Sequence, residues 1–296
     1  MSEFSLTRRR FVKGLAATAV VGAASVGIGV GIAYPFNYEL TEQDIFIRDL
    51  PEAFDGFRIA QLSDVHHSSL VPLWEVRRAV ELTQSARADL VVLTGDYTTA
   101  AKKYIEPCAE ELARLSAPAG VWAVLGNHDH NTDGAATYRA LSQRGVGVMK
   151  NVNTRLVRGG EELQLIGIDD WSWNQTDWSQ AFKGINRTRP SVLLSHQPRV
   201  LDLPQTEGVS LILSGHTHGG QVRLPFFGSP ASIMGEDFKY LRGRFVQDGR
   251  QLFVTRGTGV IGVPVRFGAR PEVAVLRLRR ASEQHAETLR RDDEIV

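Results

Sequence analysis

Five short apolar runs in this chain each stop at a residue that can bind a metal ion, and this constrains the fold more than any other feature. Leu62 leads into Ser63-Asp64-Val65-His66, Leu93 into Thr94-Gly95-Asp96 and Leu125 into Gly126-Asn127-His128-Asp129. Leu194 leads into Ser195-His196, and Leu213 into Ser214-Gly215-His216-Thr217-His218. Apolar runs of this length, bounded by turn formers, read as buried strands. Polar groups at the C-terminal ends of several strands share one rim, where α/β folds build their sites. The chain has eight histidines; five fall in these strand ends, and His67 and His130 stand next to them.

The pattern between these points sets the fold class. Arg58-Ile59-Ala60-Gln61-Leu62, Leu90 to Leu93 and Val121 to Leu125 are expected strands. Trp74 to Ala86 carries Val76, Ala79, Val80 and Thr83 at helical spacing, and Tyr104 to Leu115 and Ala135 to Gln143 also read as helices. Later runs are mostly strand: Leu163 to Ile168, Val192 to Leu194, Val209 to Leu213, Leu252 to Thr255 and Val273 to Leu278. The expectation is an α/β fold of two packed, mixed β-sheets flanked by helices, in one domain over 37–280, with a charged flexible tail over 281–296.

Composition removes other classes. Hydrophobic residues at 43% and charged residues at 23% exclude a disordered or fibrous chain. Lys+Arg at 34 against Asp+Glu at 33 argues against a nucleic-acid partner held by a broad basic field. The single cysteine, Cys108, forbids an internal disulfide and a cysteine-rich zinc site, and reads as a core or surface filler in its helix.

Residues 1–36 read as an address. Thr7-Arg8-Arg9-Arg10-Phe11-Val12-Lys13 precedes an uncharged run from Gly14 to Phe36. Paired arginines followed by Phe and Lys resemble the twin-arginine export signal, with the twin-arginine translocase as the implied partner. The alternative is a membrane anchor with its positive residues inside. Gly31-Ile32-Ala33 suits a signal peptidase, yet the run is also long enough to span a bilayer uncut. Both readings place the domain on the far side of a cytoplasmic membrane, periplasmic or on its outer face.

Taken singly, each motif has a plain structural reading: Asp96 a turn, Asn127 a helix cap, His196 a hydrogen-bonded core histidine. The set in chain order is what carries weight. Asp64-x-His66, Gly95-Asp96, Gly126-Asn127-His128-Asp129, His196 and Gly215-His216-Thr217-His218 resemble the motifs of the calcineurin-like metallophosphoesterases, over about Phe57 to Leu278. The extension Gly219-Gly220-Gln221 and Thr255-Arg256-Gly257-Thr258-Gly259 resemble its bacterial YaeI/YkuE branch of phosphodiesterases.

The resemblance implies an αββα sandwich and two divalent metal ions. Asp64, His66, Asp96 and His218 would hold the first; Asp96, Asn127, His196 and His216 would hold the second, so Asp96 bridges. Mixed nitrogen and oxygen donors suit Mn, Fe, Zn or Co better than Ca or Mg. The implied reaction is hydrolysis of a phosphoric ester by a metal-activated hydroxide, with His128 protonating the leaving oxygen or, alternatively, orienting a ligand. Two divalent ions, two aspartates and one hydroxide leave a single positive charge, which a phosphodiester neutralises and a monoester dianion overshoots.

Around this centre, Asp129 is expected to hydrogen-bond His128, and His67 and His130 to be exposed neighbours. Arg256 is either a phosphate clamp or half of a structural ion pair. Trp171, Trp173 and Trp178, with Pro225-Phe226-Phe227, point to a lipid-like or membrane-near substrate, or else simply cap the core. The enzymatic alternatives are a phosphomonoesterase or a nucleotide–lipid pyrophosphatase on the same metals. The non-enzymatic alternative is a membrane-tethered binding module, against which the intact ligand set speaks. A metallo-β-lactamase-type zinc hydrolase would need His-x-His-x-Asp-His, which the chain lacks.

Overall fold

A computed structural model describes residues 36–223, 228–229 and 239–282. Residues 1–35 of the signal or anchor read over 1–36, the Pro225-Phe226-Phe227 segment and the tail from 283 onward lie outside the described residues.

Two six-stranded sheets form the centre. The first has the order β1 (Glu39–Ile47), β12 (Glu272–Arg280), β2 (Arg58–Leu62), β3 (Leu90–Thr94), β4 (Val121–Val124), β5 (Gly147–Val148). Its strands run parallel except at the β12–β2 junction. The second has the order β10 (Gly243–Gln247), β11 (Arg250–Val254), β9 (Leu211–Ser214), β8 (Ser191–Leu194), β7 (Glu161–Gly167), β6 (Val152–Arg158). Its four inner strands are parallel, and only the two edge pairings are antiparallel. Helices α1 (Leu73–Ser85), α2 (Ile105–Leu112) and α3 (Asn127–Ser142) accompany the first sheet, and the short α4 (Trp178–Ala181) the second.

The period of two in the strands builds three apolar layers. Leu90, Val92, Val124, Val192, Leu194, Leu211 and Leu213 face inward and join the sheets. Val91, Leu93 and Ala123 face the other way, toward Val76, Ala79 and Val80 of α1 and Cys108 and Leu112 of α2. Leu193, Ile212 and Val254 do the same behind the second sheet, with Val200, Leu201 and Ala181. Cys108 is therefore a core residue, and the expected layers are all present.

Differences from the expectation are local. α3 starts at Asn127 rather than Ala135, with Gly126 in extended conformation before it and a break at Asp133. Its first turns carry His, Asp, Asn and Thr, so no apolar period marks them. β1, β5, β6, β10 and α4 were not expected from the sequence. Among the described residues no helix is long and apolar enough to cross a membrane.

Candidate metal centre

The parallel strands β2, β3 and β4 and their counterparts β8 and β9 in the other sheet all deliver their C-terminal ends to one place. Backbone hydrogen bonds hold the strand ends together within each sheet: Asp64 N–H donates to Gly95 O at 3.0 Å in the first and Gly215 N–H to His196 O at 3.1 Å in the second. The connections there are tight. Gly95 has φ +93°, and a Cβ on it would stand 2.7 Å from His196 Nδ1. A Cβ on Gly215 would collide with Ser63 Oγ and Asp64 Oδ2. Asp64, His66, Asp96, His216 and His218 all occupy the left-handed region, with φ of 51, 52, 57, 74 and 54°. Each such residue costs about 1–3 kcal/mol, so the surrounding fold must impose these conformations.

Two clusters result. In one, His66 Nε2 lies 2.9 Å from His218 Nε2 and 3.9 Å from Asp64 Oδ1, and His218 Nε2 lies 3.6 Å from the same carboxylate oxygen. In the other, His196 Nε2 lies 3.1 Å from Asp96 Oδ2, 3.1 Å from Asn127 Oδ1 and 3.3 Å from His216 Nδ1. His216 Nδ1 is also 3.1 Å from Asn127 Oδ1. Asp96 Oδ2 faces both clusters, since it is only 3.6 Å from His66 Nε2. All seven residues singled out in the sequence as ligands therefore meet.

This donor set fits cations. Donors about 2.0–2.2 Å from one ion stand roughly 3–4 Å apart, the spacing found here. The rings are also aimed. His196 Nδ1 meets the carbonyl of Thr94 at 2.7 Å, and since a carbonyl only accepts, Nδ1 donates and Nε2 faces the cluster. His66 is steadied the same way through Nδ1 and Thr99 Oγ1 at 2.6 Å. Protonation reflects the crowding. Burial pushes His66 down to about 3 and His216 down to about 4. Burial also opposes charge on His196, yet Asp96 beside it lifts the pKa to about 10. Burial raises Asp64 to about 6. Cations bound among these buried imidazole nitrogens and carboxylates would offset the cost of burying them.

His128 lies beside the centre without joining either cluster. Its ring is 5.0 Å from that of His66, and its backbone N–H donates to Asp96 Oδ1 at 2.8 Å. Three expectations need correction, and one open alternative is decided. Asp129 does not support His128; its carboxylate instead takes the N–H groups of Asp96 (2.8 Å), Tyr97 (2.9 Å) and Gly126 (3.0 Å), fixing the turn that carries Asp96. His67 is buried, with Nδ1 on Val71 O at 2.8 Å, because its loop folds back to start α1. His130 is half-buried and bonds Asp169 Oδ1 at 2.8 Å. Arg256 is committed to Glu272 (3.0 and 3.1 Å) and Glu39 (3.0 Å), so it is the structural ion pair and not the clamp.

Sequence reasoning missed Arg266. Its guanidinium is buried, with Nε on Gly259 O at 2.9 Å, Nη1 on Ala269 O at 3.1 Å and Nη2 3.1 Å from His218 Nδ1. Burial lowers its pKa to about 10. Val265-Arg266-Phe267 has no periodicity or spacing that would have marked it. The tryptophans split: Trp171 and Trp178 pack on the core behind the second sheet, while Trp173 is exposed.

Several known proteins are similar to this chain. The calcineurin-like phosphoesterase profile matches residues 57–220. A Bacillus subtilis protein described as uncharacterized metallophosphoesterase YkuE is 33% identical over 281 residues, 93% of this chain and 98% of that one. Phosphodiesterase YaeI of Escherichia coli is 30% identical over 279 residues, 92% and 99% of the two chains. Among solved structures, TT1561 of Thermus thermophilus overlays with a TM-score of 0.47 at 13% identity, over 68% of this chain and 90% of that one. Matched along more than half its length by the family profile, and along nearly all of it by two relatives, the chain belongs to the calcineurin-like phosphoesterase family.

Proposed function

We propose that this protein hydrolyses phosphodiesters at a dinuclear metal centre. Asp64, His66, Asp96 and His218 hold one ion; Asp96, Asn127, His196 and His216 hold the other. The observation that carries this is Asp96 Oδ2, 3.6 Å from His66 Nε2 and 3.1 Å from His196 Nε2: one carboxylate oxygen serves both clusters. Two divalent ions held there would supply Lewis acidity toward a phosphate and a water of lowered pKa.

The protein's own groups do the rest. The His196 and His66 imidazoles, held by Thr94 and Thr99, are fixed in direction. Asp129 holds the Asp96 turn through the backbone N–H groups of Asp96 and Tyr97, so the shared carboxylate does not drift. The His128 ring makes no hydrogen bond among the described residues and is half-exposed, which leaves it free to donate a proton to the leaving oxygen. With one hydroxide counted beside the two carboxylates, two divalent ions would leave a single positive charge that a diester monoanion suits, and the relative named a phosphodiesterase points the same way.

The test pairs metal analysis with substrate comparison. Purified protein should carry two ions per chain and turn over bis-p-nitrophenyl phosphate faster than p-nitrophenyl phosphate. Asp96→Asn should drop metal content below one ion per chain. Two ions retained in that variant would remove the shared-carboxylate role, and preference for the monoester would favour a phosphatase.

The N-terminal Arg8-Arg9-Arg10 and the apolar run behind it support export by the twin-arginine route to the outer face of the membrane. Replacing Arg8 and Arg9 with lysines should leave the protein in the cytoplasm; normal export of that variant would point to the general secretory route.

A further inference from the structure

Trp173 is a large apolar side chain, 43% exposed, standing on a loop that is nonetheless firmly fixed. Its backbone N–H donates to Asp170 Oδ1 at 2.9 Å, and Ser172 Oγ donates to the same oxygen at 2.6 Å. Asp170 itself is buried and accepts from Gln197 Nε2 at 2.7 Å. One face of the indole lies on the His130 imidazole, with ring centroids 5.8 Å apart and planes 24° apart. His130 in turn is held by Asp169.

Both anchors lead to the metal centre. His130 is three residues after Asn127 on α3, hence on the same helix face and about 4.5 Å along it. Gln197 follows His196 directly. The stack is therefore fastened to the two segments that carry Asn127 and His196.

We infer that the Trp173–His130 stack is a platform for the organic part of the substrate, selecting phosphoesters that carry a planar aromatic ring, a nucleobase being the natural example. This rests on the proposed phosphodiesterase reading and names its substrate class. A ring laid on the open indole face gains stacking with little ordering cost, because the indole is already immobilised on His130. The surroundings favour a ring over an acyl chain: polar groups of Asp170, Ser172 and Gln197 hold the loop that carries the indole, and a chain needs a continuous apolar channel.

The test measures binding by calorimetry on manganese-loaded protein, with adenosine 5′-monophosphate, inorganic phosphate and dioctanoyl phosphatidic acid as probes. Wild type should bind the nucleotide more tightly than phosphate. Trp173→Ala should weaken the nucleotide about tenfold and leave phosphate unchanged, while Trp173→Phe should retain most of the affinity. Equal affinity of wild type for nucleotide and phosphate, or no loss in Trp173→Ala, overturns the platform. So does a loss confined to the phosphatidic acid, which would make the indole a lipid contact. Failure of the two readings is distinguishable. Turnover of bis-p-nitrophenyl phosphate without Trp173-dependent nucleotide binding leaves the phosphodiesterase and removes the platform; the reverse result leaves the platform and removes the phosphodiesterase.

Discussion

At the residue scale, the centre depends on side chains whose work is to hold others. Asp129 illustrates this: next to His128 in sequence, it faces the backbone of Asp96 and Tyr97, and no sequence rule gives that direction. In the proposed reaction His128 would meet the leaving oxygen without binding metal. His128→Ala should keep both ions yet slow turnover by about 10²–10⁴, least for esters with good leaving groups; equal slowing across leaving groups would deny it the proton. Arg266 is the converse case. Its guanidinium satisfies the carbonyls of Gly259 and Ala269 and backs His218. Arg266→Met leaves buried acceptors unsatisfied and should cost about 2–4 kcal/mol, read as a lower denaturation midpoint. It should also weaken the ion held with His218, so metal content in equilibrium dialysis should fall while the second ion stays. Unchanged stability and metal content would reduce Arg266 to filler.

At the element scale, strand legibility follows position in the sheet. β2, β3, β4, β7, β8, β9, β11 and β12 are interior strands, and each was expected from its apolar run. The four that were missed, β1, β5, β6 and β10, are the four sheet edges. An edge strand is half-exposed, so its sequence stays polar: Glu39–Ile47 buries only Ile45 and Ile47, and Val152–Arg158 only Leu156. An inner parallel strand is covered on both faces and reads as a continuous apolar run. α3 and the loop after β7 are joined by His130 and Asp169, and this contact has a predictable pH dependence. Burial disfavours the His130 cation, but the hydrogen bond and charge of Asp169 outweigh it and raise the pKa. The folded value lies above the unfolded value of about 6.5, so the stabilisation is complete below that pH and fades as pH rises through the folded value. Urea midpoints of wild type and His130→Gln should differ most near pH 6 and converge toward pH 9; a gap that widens with pH would contradict the sign.

At the scale of the whole molecule, the centre is a seam between two sheets. Asp64, His66, Asp96 and Asn127 come from the first sheet and His196, His216 and His218 from the second, so cations bound there would tie the halves of the sandwich together. Ligands that bind only the folded chain stabilise it by mass action, about 3 kcal/mol per site when free metal is about 100-fold above Kd. Chelation should therefore lower the thermal midpoint, and restoring manganese should recover it. An unchanged midpoint on verified metal removal would mean that the sheets hold the seam without help. The inner layer argues that the fold itself survives, because Leu90, Val92, Leu194, Leu211 and Leu213 join the sheets independently of the polar rim.

By itself the sequence determined which residue types end the buried strands, and hence the layers, because burial on two faces restricts residue choice locally; the resemblance of those strand ends to a known family then singled out the seven candidate ligands. Only the tertiary structure decided which of those side chains are neighbours and what directs them. That Asp96 faces both clusters, that Asp129 serves a backbone turn, that Arg256 is spent on Glu272 and Glu39, and that Arg266 backs His218 are contacts between segments far apart in the chain. The packing of the two sheets fixes their relative positions, and no local pattern encodes them.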